Sequence, residues 1–352
     1  MQNIRMGIIG CGYWGPNLVR NFITLPDMDV VAVADKDPGR LEHINNLYPQ
    51  LETAEDYHDL FNMDLDAVAI ATPPETHYMI GKDCLEHNLH TFIEKPITTK
   101  SHHAEELIDS ANSRGLTLMV GHTFEYNPVV RKIKEIITNG ELGRIFYIKS
   151  ERLNLGLFQA HLNVMWDLAP HDISIITYLL DGEPLHVSAQ GGACIFEDKH
   201  DIAFMYMEFP EDIIAHIHVS WLDPCKTRRI TVVGSKKMLV YDDVESLEKI
   251  RIYDKGVDKL PYTDTYCDFQ CSYRYGDVVI PHINFTEPLK IECQHFIDCI
   301  QESATTPQSC GNSGLSVVRI LEAAQRSLDN GGGTEIISGN GVGSKYMISA
   351  RL

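Results

Sequence analysis

The chain has 352 residues, 44% of them hydrophobic and 22% charged, with a formal net charge of −19, which fits a soluble globular protein of about two domains. That charge argues against nucleic acid phosphate and anionic membrane surfaces as partners, and an anionic substrate would need a local basic patch. No apolar run approaches the ~18–20 residues of a membrane span; MQNIRMGIIG enters a strand without a signal-peptide pattern, and nine scattered cysteines with no CxxC pair point to reduced thiols in a cytoplasmic protein, without a zinc site.

The first ~120 residues alternate continuous apolar runs with helical patterns. MGIIG, VVAVAD, DAVAIA and HTFIE read as parallel strands buried on both faces. PNLVRNFITL, GRLEHINNLY, AEDYHDLFN and HYMIGKDCLEHN read as helices between them, and SHHAEELIDSANSRG with TLMVGH adds one more helix and strand. This alternation predicts βαβ units and a doubly wound parallel sheet over residues 1–122. After Gly143 the pattern changes. IFYIKSERL, LHVSAQGGACIFE, IAFMYMEF, IIAHIHVSW, RRITVVG and KKMLVYDD predict an antiparallel meander. One helix interrupts it from about Pro170 to Leu180, and two more follow near 288–301 and 312–329. Residues 123–330 thus form an α+β domain with a large, mostly antiparallel sheet. Residues 331–352, rich in Gly and Ser, are expected to be a flexible tail or a loosely attached extension.

MGIIGCGYWGPN reads as a strand, then Gly10-x-Gly12-x-x-Gly15, then a helix with Pro16 near its first position. Gly10 permits the tight turn, Gly12 lets the backbone approach a pyrophosphate, and Gly15 lets helix and strand pack closely. Tyr13 and Trp14 lie within the loop. Asp35 ends the next strand, where a carboxylate accepts from ribose hydroxyls and repels a 2′-phosphate. This predicts a Rossmann domain that binds NAD in preference to NADP, with Lys36 as the cation that would soften the choice. Thr72 and Pro73 follow the fourth strand and should line the cofactor cleft. For His77, at the next helix start, a structural bond competes with a place in that cleft. Glu94 and Lys95, before Pro96, end the fifth strand at the same edge and are candidate cofactor contacts there.

WDLAPHDIS places Asp167 four residues before His171. By itself the stretch admits metal ligands, an acid–base pair, or a capped helix start. Two ligands are too few for a metal, and Asp172 points at a different angle, so no metal is expected. His216 and His218 alternate on one strand face and are expected to face solvent or an interface. Lys226, Arg228, Arg229, Lys236 and Lys237 form a basic cluster read mainly as solvated hairpin charge, with diphosphate binding as the alternative. Tyr126 and Asn127 follow the sixth strand, and Arg152 and Asn154 open the loop RLNLGLF; these four are candidate substrate contacts.

Gly10–Gly15, Asp35, Ala71–Pro73, Glu94-Lys95-Pro96 and Asp167-x-x-x-His171, in this order and ahead of a sheet domain, resemble the glucose–fructose oxidoreductase, inositol dehydrogenase and rhizopine catabolism (Gfo/Idh/MocA) family over about residues 1–330. The resemblance implies an NAD(P)-binding first domain. It also implies a second domain whose sheet forms the interface of a homodimer or homotetramer and one wall of the active site. It implies that Lys95, Asp167 and His171 are catalytic. WDLAPHDIS, HTFEYNPVVRKIKE and WLDPCKTRRITVVGSKK are most similar to members that oxidise nucleotide-linked sugars, such as the UDP-N-acetylglucosamine 3-dehydrogenases, which make a 3-keto sugar. In that chemistry a histidine near its ordinary pKa suits the role of base, Asp167 would orient its ring, and Lys95 would steady the alkoxide. A dehydrogenase or ketoreductase of a free sugar or inositol, and a non-catalytic NAD-binding regulator, are the competing readings.

Overall fold

The computed structural model describes residues 3–159, 162–259, 271–302 and 306–337. Two sheets organise it. The first contains β1 (Ile4–Ile9), β2 (Met28–Ala34), β3 (Glu52–Ala54), β4 (Ala67–Ile70), β5 (His90–Glu94) and β6 (Leu118–Gly121), in the order β3-β2-β1-β4-β5-β6. Every pairing is parallel. The order turns back between β1 and β4, and ligands bind beyond the strand ends at such a reversal. The connecting helices are α1 (Gly15–Ile23), α2 (Pro38–Leu47), α3 (Pro74–Glu86) and α4 (Ser101–Arg114). The segment AEDYHDLFN, expected as an α-helix, forms a 3-10 turn at Tyr57–Asn62, and β3 was not foreseen. At three residues β3 is too short to carry a pattern.

A 3-10 turn at Thr123–Tyr126 and α5 (Pro128–Thr138), capped by the Asn127 side chain, lead into the second sheet. Its strands are β7 (Ile145–Leu153), β8 (His186–Gly192), β9 (Ile202–Phe209), β10 (Ile213–Ser220), β11 (Thr227–Gly234), β12 (Met238–Asp242), β13 (Ile250–Lys259), β14 (Cys271–Val279) and β15 (Glu335–Ile336). They run in the order β14-β13-β12-β11-β7-β10-β9-β8-β15. The sheet is mixed, because β10 pairs parallel to β7, while the remaining pairings are antiparallel. The expected C-terminal tail is ordered at least to Ile337, for β15 closes one sheet edge against β8; residues 338–352 lie outside the described residues.

The helix expected from about Pro170 begins earlier. α6 spans Val164–Leu180, capped by Asn163 through the Trp166 amide, and Pro170 lies inside it. With α8 (Gly311–Asp329) it covers one face of the second sheet. α7 (Pro288–Gln301) instead packs Leu289, Phe296 and Ile297 against Phe22 and Phe92 of the parallel sheet's layer. The chain therefore returns to its first half near its end, bringing Glu292 to the segment that follows β6. Among the described residues no helix covers the other face of the second sheet. Phe204, Tyr206 and Ile214 are exposed there, in cross-strand rows with His216, His218 and Lys149.

Candidate active site

Because its strands are parallel, the loops after β1, β4, β5 and β6 all leave one edge of the first sheet. The glycine loop is tight where the chain must close and open where a ligand must enter. At Gly10 (φ +96°) a Cβ would lie 2.7 Å from the Ala71 carbonyl, and at Gly15 it would lie 2.1 Å from Gly10 O. At Gly12 only the Arg40 guanidinium comes near, at 3.7 Å. No side chain caps α1 and no acid sits in its first turn, so its amide hydrogens are free to meet a pyrophosphate. These residues fit a dinucleotide. Tyr13 is 83% exposed beside the loop, and Trp14 packs edge-on against it.

The Asp35 carboxylate accepts the amide hydrogens of Cys11 (2.6 Å) and Asp37 (2.9 Å), which fixes it at the mouth of the cleft. Its neighbouring cation is Arg40, with Nη1 3.6 Å from Oδ2, whereas Lys36 is exposed. Thr72 Oγ1 accepts from Thr76, and Pro73 is exposed at the start of α3. His77 is wholly buried, and its ring nitrogens lie 2.8 Å from the carbonyls of Pro96 and Thr72. It ties the loop after β4 to the loop after β5 rather than presenting itself to a cofactor.

Glu94 turns into the interior, and its Oε2 accepts the Lys95 amide at 3.2 Å. Lys95 crosses to the second half, and its Nζ donates to the main-chain carbonyl of Asp167 at 3.0 Å. That carbonyl lies beside Pro170, whose missing amide hydrogen interrupts the helical ladder one residue earlier. Burial pushes the Lys95 ammonium down from its usual range, against the opposing charges of Asp167 and Glu94. The expected bond from Asp167 to His171 is not among the hydrogen bonds of the described residues. The Asp167 carboxylate instead accepts from Trp221 Nε1 at 3.1 Å, and His171 Nδ1 is buried without a hydrogen-bond partner. His171 packs edge-on to Phe124. Burial, then the positive fields of Lys95, Arg152, His122 and Arg228, hold it well below 6.5, so its ring is neutral at pH 7.

Of the four substrate candidates, Tyr126 is fully buried, its hydroxyl paired with Ser309. Tyr126 therefore packs in the core and does not face the cleft. Asn127 caps α5 and reaches the Tyr241 hydroxyl at 3.5 Å. Arg152 grips Asp172 through two bonds, 2.8 and 3.1 Å, and lies over the Phe124 ring. Asn154 bonds through its main chain to Ser220 and Asp223, and precedes the exposed leucines 155 and 157. In the basic cluster, Arg228 pairs with Asp243, Arg229 with Asp242 and Lys237 with Glu141. His216 and His218 lie on the helix-free sheet face, where His218 stacks on Phe204. Among the described residues no group of three or more His, Cys, Asp and Glu could hold a metal.

Sequence reasoning missed Trp221, Phe124, His122 and Glu292. Trp221 heads a segment already noted for its family likeness, and that was its only signal. Glu292, a lone acid in an apolar helix face, had the signal of an unexplained buried charge.

Two family models match: the oxidoreductase family with an NAD-binding Rossmann fold over residues 4–122, and the GFO/IDH/MocA C-terminal domain over residues 130–240. The UDP-N-acetylglucosamine 3-dehydrogenase of Acidithiobacillus ferrooxidans is 26% identical over 333 residues, 92% of this chain and 96% of that protein. The scyllo-inositol 2-dehydrogenase (NAD(+)) of Bacillus subtilis is 25% identical over 317 residues, 86% of this chain and 88% of that protein. Among solved structures, the WlbA dehydrogenase of Bordetella pertussis in complex with NADH and UDP-GlcNAcA superposes with a TM-score of 0.78 at 18% identity, covering 96% of this chain and 100% of that one. The two matched models together cover well over half of the chain, and it belongs to the GFO/IDH/MocA oxidoreductases, as an NAD-dependent dehydrogenase.

Proposed function

We propose that this dehydrogenase oxidises the 3-hydroxyl of a UDP-N-acetyl-hexosamine type nucleotide sugar to a 3-keto sugar, a product suited to the building of polysaccharide or lipopolysaccharide sugars. The observation that carries the chemical part is the junction between the two halves: Lys95 leaves the carboxyl edge of the parallel sheet and donates to Asp167 O at 3.0 Å, one helical turn from His171. The nucleotide-sugar part rests on the likeness to the Acidithiobacillus dehydrogenase over 92% of the chain and to the Bordetella structure.

Bound NAD supplies the hydride acceptor. The rest falls to the protein. His171, neutral at pH 7 because its surroundings disfavour a second proton, accepts the hydroxyl proton. The Lys95 ammonium donates to the oxygen as charge develops on it. Asp167, held by Trp221, acts through its field on Lys95 and through its carbonyl, which anchors Nζ. Arg152, immobilised by Asp172, and Asn127 border the substrate side. The helix-free face of the second sheet joins the subunits of a homodimer or homotetramer, since its row of exposed aromatic side chains is more than a monomer commonly leaves in water.

Turnover on a panel of UDP-sugars, free sugars and inositols, with NAD reduction as the readout, tests this. Activity confined to inositols or free sugars would favour the reading suggested by the scyllo-inositol 2-dehydrogenase likeness, and no turnover on any of them would overturn the enzyme reading of the substrate class.

A further inference from the structure

The register of β11 separates one cation from the rest of the basic cluster between Lys226 and Lys237. Ile230 and Val232 are buried in the core under the covering helices, so Arg228, two residues before Ile230, lies on that same face and Arg229 lies on the helix-free one. On the helix-free face Arg229 stands opposite Glu151 across the ladder and donates to Asp242 at 2.9 Å, so unlike charges meet. On the covered face Arg228 stands directly opposite Arg152. Side chains so placed on an antiparallel pair are about 5 Å apart, and like charges there are destabilising. Arg152 is relieved by Asp172, at 2.8 and 3.1 Å. Arg228 is relieved less. Its Nη1 is 3.6 Å from Asp243 Oδ2, too far for a hydrogen bond, and among the described residues its guanidinium donates none. Asp243 already accepts from the Tyr241 hydroxyl at 2.9 Å, and Lys249 Nζ lies 3.9 Å from the same carboxylate, so two cations share one anion.

Arg228 also lies near the reacting groups. Arg152, its cross-strand neighbour, lies over the Phe124 ring at 4.7 Å, and Phe124 packs edge-on to His171 at 5.1 Å. The Arg228 charge acts on the His171 ring. Thr227, the first residue of β11, pairs with Leu153, the last of β7, so Arg228 is one pair in from the sheet edge where the loop at Asn154 begins, and its side chain is 41% exposed.

We propose that Arg228 is a specificity-determining residue of the substrate site and binds a phosphoryl oxygen of the nucleotide sugar's diphosphate. The inference rests on the nucleotide-sugar reading above. Arginine presents a fixed fork of N–H donors that suits phosphoryl oxygens. A chain of net charge −19 repels a diphosphate unless a cation is held in reserve for it. Lys95 and Arg152 are committed to Asp167 O and Asp172, and Arg228 is the cation of the three without a hydrogen bond. A phosphate seated on it would also relieve the like-charge pair across β7 and β11. Arg228 takes no part in hydride or proton transfer, so its loss weakens binding more than it slows the saturated enzyme.

Calorimetry of UDP binding to the NADH-loaded protein tests this. Arg228→Gln should bind UDP about tenfold more weakly or worse, with NADH affinity unchanged, and Arg229→Gln, on the opposite face, should bind UDP as wild type does. UDP carries no sugar, so the loss cannot come from a carboxylate on the sugar ring. With a UDP-sugar that wild type turns over, Arg228→Gln should raise KM by a similar factor and change kcat less. Unchanged UDP affinity in Arg228→Gln, or an equal loss in Arg229→Gln, overturns the proposal. Should Arg228→Gln not fold, Arg228→Lys, which keeps the charge but not the planar fork, must bind UDP several-fold more weakly, and wild-type affinity there overturns it as well. A wild type that neither binds UDP nor turns over UDP-sugars marks the failure of the nucleotide-sugar reading, which takes this proposal with it; wild-type turnover of UDP-sugars with an unimpaired Arg228→Gln removes the proposal alone.

Discussion

The two sheets bury their residues differently, and the difference explains where chemistry can be placed. In the parallel sheet β4 and β6 are buried at every position, with helices on both faces, and the cofactor loops are confined to one edge. In the nine-stranded sheet β9 alternates buried and open positions, because among the described residues helices cover one face. The first half can thus hold a ligand only at its rim, whereas the second has a whole face to spend on a partner. Lys95, Asp167 and His171, the proposed catalytic groups, sit where the rim of one meets the covering helix of the other.

The largest expected effect tests that meeting point. Lys95→Ala and His171→Asn should each lower turnover by roughly 10²–10⁴, while calorimetry on His171→Asn finds NAD affinity nearly intact, because the glycine loop and Asp35 belong to the rim alone. Asp167→Asn should lose less, and Trp221→Phe, which removes the indole donor at 3.1 Å from Asp167, should follow it in direction. A Trp221→Phe enzyme as active as wild type while Asp167→Asn is impaired would show that the indole bond does not position the aspartate. The pH profile sharpens the assignment: a base that must be neutral loses activity as pH falls through its pKa. With His171 held well below 6.5, that limb should lie on the acid side of 6.5 and vanish in His171→Asn.

Within the rim, Gly15→Ala should abolish NAD binding and lower the melting temperature, since its Cβ would meet Gly10 O at 2.1 Å. Gly12→Ala, with nothing nearer than 3.7 Å, should keep the fold and weaken NAD alone. NAD should bind more tightly than NADP, by about tenfold or more, because Asp35 repels a 2′-phosphate. Arg40→Ala should widen that margin and Lys36→Ala should not, as only Arg40 lies within 3.6 Å of the carboxylate; equal NADP and NAD affinity in wild type would remove Asp35 as the selector.

On the open face, Phe204→Glu should turn an associated species into a monomer by light scattering. A wild-type monomer at micromolar concentration would leave the exposed aromatic row without a partner.

The smallest effect concerns stability. Glu94 and Glu125 are raised by burial to about 7 and about 8, so the folded state binds more protons than the unfolded chain from the ordinary carboxyl range up to those values, and stability should fall as pH rises through them. His122, lowered to about 3, acts oppositely, and its contribution is lost as pH falls from 6.5 toward 3. Melting temperatures should therefore decline from about pH 6.5 to 8, and Glu125→Gln should flatten that decline.

Much of the first half was legible because its signals are local. The glycine spacing, the apolar strands and the acid closing the second strand lie within a few residues of what they define, and continuous apolar runs arise wherever both strand faces are buried. Lys95, Asp167 and His171 were likewise visible as types at a spacing. What only tertiary structure decided depends on residues far apart in the chain. Trp221 meets Asp167 across 54 positions. β10 aligns parallel to β7, a pairing that alternation alone does not distinguish from antiparallel. Tyr126 carries a hydroxyl that reads as exposed function, and His77 a ring open to a structural or a cofactor reading, until a fold supplies Ser309, Thr72 and Pro96 as buried partners. α6 begins at Val164 because Asn163 caps it, so a proline that looked like a helix start became an interior interruption beside the carbonyl that holds Lys95. Local pattern determines which residues can be buried or can react; which of them meet is decided by packing between elements, and that is set by surfaces the chain brings together only when folded.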